Sequence, residues 1–152
     1  MLIKDVACGG RQRIPLFCTA EKSRETEYCN VDLLVLKGGE IKMIVEIEES
    51  DVKPTQICGK FLTSALAKYY IHDSSGNKPV EMGNTVTFIQ IVDTSNLVKD
   101  RTSKFKQWKL LEKSINGILP LENSRIASYK LMNTDNLNEL ASLMKKGAYS
   151  SQ

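Results

Sequence analysis

Residues 31–50, "VDLLVLKGGEIKMIVEIEES", decide how the rest of the chain is read. Two runs rich in β-branched and leucine residues, 31–37 and 40–49, flank Gly38-Gly39, the pattern of a β-hairpin closed by a tight turn. Leu33 and Val35 alternate with Leu34 and Leu36, and Val45 and Ile47 with Ile44, so both faces are apolar. A sheet covered on both sides is implied. Yet the second run ends in Glu46, Glu48, Glu49 and then Asp51, although the chain carries a formal net charge of +3. That much negative charge at the end of a buried strand needs a chemical reason.

Downstream, Pro54 suits a helix start, and Ile57, Phe61, Leu62, Ala65, Leu66 and Tyr69 are spaced to cover one broad face, which predicts a helix at about 54–71. A polar loop follows, then "TVTFIQIVD", a strand near 85–92. Phe105, Trp108, Leu111 and Ile115 predict a second helix over 101–117, "RIASYKLMN" a strand near 125–132, and Leu137, Leu140, Ala141 and Met144 a last helix at about 135–146. Upstream, "RIPLFC" predicts a strand near 12–18, with at most a turn or two of helix in "IKDVA" before it. The expected architecture is α/β: a β-meander of the strands near 12–18, 31–37 and 40–49, extended into a mixed sheet with helices on both faces.

With 152 residues, 41% hydrophobic and 26% charged, residues 1–152 are read as one globular domain. The N-terminus lacks the apolar stretch of a signal peptide, and no run approaches the roughly 20 apolar residues of a membrane span, so an intracellular, cytoplasmic protein is expected. Cys8, Cys18, Cys29 and Cys58 show no paired spacing and have only His72 for company, which reads as reduced, packed thiols instead of a zinc site. Trp108 lies in register with Leu111 and Ile115 and reads as core, and His72 as a helix-end cap.

Along a strand, Glu46 and Glu48 project from one face and Ile47 from the other. A three-residue hairpin loop would set Asp32 opposite Glu46 and gather three carboxylates. A two-residue loop would set Asp32 opposite Val45. Like charges about 5 Å apart in partly buried surroundings repel by a few kcal/mol unless a cation or protons intervene. Carboxylates with a backbone carbonyl, here that of Ile47, form the ligand set that Mg²⁺ or Mn²⁺ prefers.

An aspartate early in one hairpin strand, then an acid-x-lysine motif near the end of the next, then a helix on the sheet: Asp32, Glu46-Ile47-Glu48 and the helix from Pro54 resemble the PD-(D/E)XK nuclease superfamily over about residues 14–92. The resemblance implies a restriction-endonuclease-like fold and metal-dependent hydrolysis of DNA phosphodiesters leaving 5′-phosphates. Asp32, Glu46, Ile47 and Glu48 would be the metal ligands. Glu48 replaces the usual lysine, as in the Glu-x-Glu restriction endonucleases of the BamHI type; archaeal-type Holliday junction resolvases are the nearest alternative. Glu48 would then handle the attacking water, or Lys60 on the helix would supply a migrated cation. Gln56 would orient the phosphate, and Glu27 would substitute for an acid from a missing first helix.

Residues 99–113 carry six Lys or Arg against two acids, with Lys106, Lys109 and Lys113 along one side of the helix. They are candidate phosphate contacts, as are Arg11, Arg13, Lys22 and Arg24, although a plain solvated face carries the same pattern. A homodimer is expected if a duplex or branched DNA is cut, because one site cuts one strand. The competing expectations are a non-catalytic nucleic-acid-binding module on the same scaffold, with Glu48 marking lost activity, and an acidic-surfaced interaction protein.

Overall fold

The computed structural model describes residues 1–136, 141, 142, 145 and 146. It is an α/β fold whose strands are β1 (Leu2–Lys4), β2 (Pro15–Phe17), β3 (Glu27–Asn30), β4 (Leu33–Lys37), β5 (Glu40–Glu48), β6 (Tyr69–Tyr70), β7 (Val80–Val92) and β8 (Ile126–Asn133). Two long helices, α1 (Pro54–Leu66) and α2 (Arg101–Gly117), connect them. The sheet is open and mixed, in the order β1-β4-β5-β7-β6-β2-β3, with β8 added to β7. Its centre is parallel: β5 lies beside β7, and β7 beside β8, each reached by a helical crossover.

The hairpin forms as its glycines predict. Gly38 and Gly39 take φ of 59° and 76°, and Lys37 pairs with Glu40 across a two-residue turn. Both sequence alternatives for the register are realised in part. Leu36 faces Ile41, but a bulge follows, so that Val35 faces Met43 and Leu33 faces Val45. The bulge leaves Lys42 unpaired and shifts the ladder by one residue. Continued one step past Leu33, the ladder sets Asp32 against Glu46.

The β-meander expected from residues 12–18 is corrected. β2 does not join β4; it pairs with β3 and β6. The partner of β4 on that side is β1, within a stretch expected to be at most helical. Only Val6–Cys8 forms a single 3₁₀ turn there. The first helix is also shorter than 54–71, since Ala67 is already extended and Tyr69-Tyr70 form β6 between β2 and β7. Two aromatic residues with open ladders on both sides gain more from pairing than from another helical turn.

α1 starts at Pro54, and the Gln56 side chain accepts the Lys53 N–H at 2.8 Å, which caps the helix. Ile57, Phe61 and Ala65 are buried one turn apart, whereas Leu62 and Leu66, expected on the same face, are about half exposed. Phe61 meets Phe88 and Tyr129 edge to face at 5.8 and 5.4 Å, fastening α1 over β7 and β8. Trp108 and Ile115 of α2 join the same apolar cluster, so Trp108 is core, as its spacing predicts. On the other side of the sheet Val35, Met43, Val45, Ile89, Ile91 and Met132 form a second cluster. Both long helices belong to the first cluster. Of the C-terminal helix expected at 135–146, Ala141, Ser142, Lys145 and Lys146 are helical, while Leu137, Leu140 and Met144 lie outside the described residues.

α2 also closes the free side of β8. Asn116 accepts the Tyr129 N–H at 3.0 Å and donates to the Tyr129 carbonyl at 2.8 Å, and Glu112 accepts the Leu131 N–H at 2.7 Å. Two side chains thus take the place of a neighbouring strand. Asn116→Ala is expected to lower stability by about 1–2 kcal/mol, read from the midpoint of urea unfolding.

Candidate functional site

Because side chains alternate along β5, Glu46 and Glu48 turn toward α1 with Ile44, while Ile47 turns away and is 41% exposed. Both glutamates are buried, at 4% exposure each. Asp32, immediately before β4, stands beside Glu46, close enough to raise its pKa. One Asp32 oxygen also accepts the Ile47 N–H at 2.7 Å, and the Asp32 carbonyl accepts the Asp5 N–H at 2.8 Å. The aspartate is therefore anchored from both neighbouring strands.

Burial, together with the proximity and charge of Asp32, pushes the Glu46 carboxyl up to about 9. The two acids hold a proton between them when nothing else neutralises them. Glu48 is served differently. Its Oε2 accepts from Lys60 Nζ at 2.9 Å and its Oε1 from Gln90 Nε2 at 3.3 Å. Burial alone would lower the Lys60 pKa, but the bond to Glu48 and the fields of Glu46, Glu48 and Asp32 outweigh it and raise it. Lys60 is thus an ammonium paired with Glu48 and lying in the fields of Glu46 and Asp32.

The sequence grouping of three carboxylates is resolved into two pairs, Asp32 with Glu46 and Glu48 with Lys60. Among the described residues no group of three or more His, Cys, Asp or Glu side chains forms a metal-holding cluster. The Asp32–Glu46 pair nevertheless fits a divalent cation by its chemistry: hard oxygen donors, low exposure, and a retained proton that a cation would displace. A groove of about 590 Å³ opens beside Glu48 and Lys60, between the end of β5 and the first turns of α1.

The other expected residues are distributed unevenly. Gln56 lines this groove, but its oxygen is committed to capping α1. Glu27 is exposed at the start of β3 and has no hydrogen bond or ion pair with Asp32 or Glu46 among the described residues; its field reaches Cys29. Arg11, Arg13, Lys22, Arg24, Lys106, Lys109 and Lys113 are exposed, and none lines the groove. Lys22 bonds Asn77 at 3.2 Å. The α2 cation that does approach the site is Lys104, whose Nζ donates to the Ser50 carbonyl at 2.9 Å.

All four cysteines are free, but they are less packed than expected: Cys8, Cys18 and Cys29 are partly buried and Cys58 is exposed. Burial raises the Cys29 thiol to about 11, and burial and then the charge of Asp32 raise that of Cys8, so neither is a thiolate nucleophile near neutral pH. His72 precedes the 3₁₀ turn Asp73–Ser75, where its Nδ1 accepts the Ser74 N–H at 3.0 Å, a capping role on a turn instead of a helix end.

Gln90 and Tyr129 belong to the site and carry no motif. Gln90 is fully buried on β7 directly beside Glu46 in the parallel register, and its Oε1 accepts a hydrogen bond from the Tyr129 hydroxyl. A single polar residue on the inward face of "TVTFIQIVD" was the available signal. No described helix is long and apolar enough to cross a membrane. No protein-family model matches the chain, and no curated protein or solved structure matches it either.

Proposed function

We propose that this chain is a Mg²⁺- or Mn²⁺-dependent endodeoxyribonuclease on a restriction-endonuclease-like scaffold, hydrolysing phosphodiester bonds in duplex or branched DNA. The observation that carries this reading is the pairing of two acids, Asp32 and Glu46, from adjacent hairpin strands, with the Glu46 carboxyl pushed up to about 9 and Lys60, held by Glu48, in the field of both. A merely structural ion pair would neutralise its acids within the chain. This one leaves an excess of negative charge that a cation and a phosphate together would complete.

Asp32 and Glu46 would hold the cation. What it supplies when bound is Lewis acidity toward the scissile phosphate and toward water. Lys60, kept protonated by its neighbours, acts as a donor, steadying the attacking water and the charge that builds on the phosphate. The role first given to Glu48 therefore passes to Lys60. Glu48 accepts on both oxygens and holds the lysine. Lys104 and the exposed lysines of α2 contribute to phosphate attraction. The proposal includes a second helical layer over Val45 and Ile89 and a homodimer that brings two sites to two strands.

The test is cleavage of supercoiled, linear and branched DNA with Mg²⁺ or Mn²⁺. Wild type is expected to cut at least one substrate only with the cation, and Asp32→Ala and Glu46→Ala to lose roughly three orders of magnitude. A wild-type chain that cuts none of them and shows no heat of Mn²⁺ binding in calorimetry overturns the proposal.

A further inference from the structure

The floor of the site is a buried chain of hydrogen bonds from four elements, β8, β7, β5 and α1. Tyr129 on β8 donates to Gln90 on β7, whose Nε2 donates both to Glu48 Oε1 and to the Ile57 carbonyl of α1, each at 3.3 Å. Glu48 in turn holds Lys60 at 2.9 Å. The direction of this chain is forced by chemistry. Burial raises the pKa of the Tyr129 phenol far above its ordinary range, so the hydroxyl is a permanent donor, and the Ile57 carbonyl can only accept. The Gln90 amide consequently has one permitted orientation, oxygen to Tyr129 and nitrogen to Glu48. Tyr129 is itself fixed by Phe61 and Phe88 around its ring and by Asn116 on its backbone.

We infer that Tyr129 and Gln90 are positioning residues that lock the Glu48 carboxylate from its buried side, so that Lys60 is presented to the Asp32–Glu46 pair. The inference rests on the nuclease reading for its catalytic meaning. Neither residue contacts substrate; both act through Glu48. An apolar residue at position 90 would sit on β7 on the same face as Phe88 and Val92, and a phenylalanine would fill the place of Tyr129 between Phe61 and Phe88. What would be lost is the fixed aim of Glu48, whose unrestrained rotamers would carry Lys60 with them.

The experiment uses full-length Tyr129→Phe and Gln90→Met, with Thr94→Val as a control that removes a buried hydroxyl bonded to Thr134 elsewhere. Two readouts are taken: steady-state cleavage with Mn²⁺, and the exchange of the Lys60 ammonium protons with water by ¹⁵N NMR, the signal being assigned by its loss in Lys60→Met. Both positioning variants are expected to lose roughly ten- to a hundredfold in kcat with KM and Mn²⁺ affinity unchanged, and to speed the exchange of the Lys60 protons. The control is expected to change neither. Wild-type kcat together with an unchanged Lys60 signal in Tyr129→Phe overturns the inference. If no substrate is cut by any variant, the nuclease reading has failed, and the Lys60 signal alone decides: faster exchange in Gln90→Met upholds the positioning chain, and unchanged exchange overturns it.

Discussion

Glu46→Gln leaves the cation-free protein more stable than wild type at pH 9 and abolishes divalent-cation binding. The folded Glu46 carboxyl sits at about 9 against an ordinary 4.5, because burial and Asp32 both oppose its charge. Between those two pH values the folded state binds a proton that the unfolded chain has released, so stability falls as pH rises. The contribution from Glu46 is complete below pH 4.5 and is lost as pH passes through about 9. Over that window it amounts to a few kcal/mol. Glutamine imitates the protonated acid at every pH, since its amide can donate to Asp32 as the carboxyl proton does, and it therefore removes the slope. A cation does for wild type what the proton did. Mn²⁺ should raise wild-type stability most at high pH, where no proton competes, and should leave Glu46→Gln unchanged. Urea unfolding from pH 5 to 9.5, with chelator and then with Mn²⁺, measures both effects. A wild-type curve that is level across this range and insensitive to Mn²⁺ would remove the basis for treating Asp32 and Glu46 as one site.

Lys60→Met separates holding the cation from using it. Loss of a charged donor aimed at the developing negative charge lowers kcat by roughly a hundredfold or more, while Asp32 and Glu46 still bind Mn²⁺. The same change strands Glu48, whose side chain is only 5% exposed. Removing one partner of a fully buried pair costs about 3–5 kcal/mol, and the 43% exposure of the Lys60 side chain brings the expected loss nearer 2 kcal/mol. Adding Glu48→Gln to Lys60→Met removes the uncompensated charge and keeps an acceptor for Gln90. The double variant should regain most of the stability and none of the cleavage. A Lys60→Met protein that cuts at the wild-type rate would return the catalytic role to Glu48.

Local signals in the sequence were enough for several features that depend on near neighbours. Alternation along 40–48 determined that Glu46 and Glu48 share a face opposite Ile47, Gly38-Gly39 determined the tight turn, and Pro54 with the Ile57, Phe61 and Ala65 spacing determined where α1 begins and the centre of its buried face, but not its edge, where Leu62 and Leu66 are about half exposed. Side-chain periods of two and 3.6 residues are properties of the backbone itself. Features set by distant partners were decided only when the chain closed on itself. The bulge beside Lys42, which the glycine turn does not encode, brings Asp32 to Glu46. β1, β3 and β6 are two to four residues long, and such short runs are strands only because β4, β2 and β7 offer them ladders. Glu48 reads in sequence as the third carboxylate of a cluster, yet a lysine twelve residues away and a glutamine forty-two away take both its oxygens. The physical reason is common to all three: the direction a side chain faces follows from its own backbone, but the charge or hydrogen bond that meets it belongs to whatever the tertiary packing brings alongside.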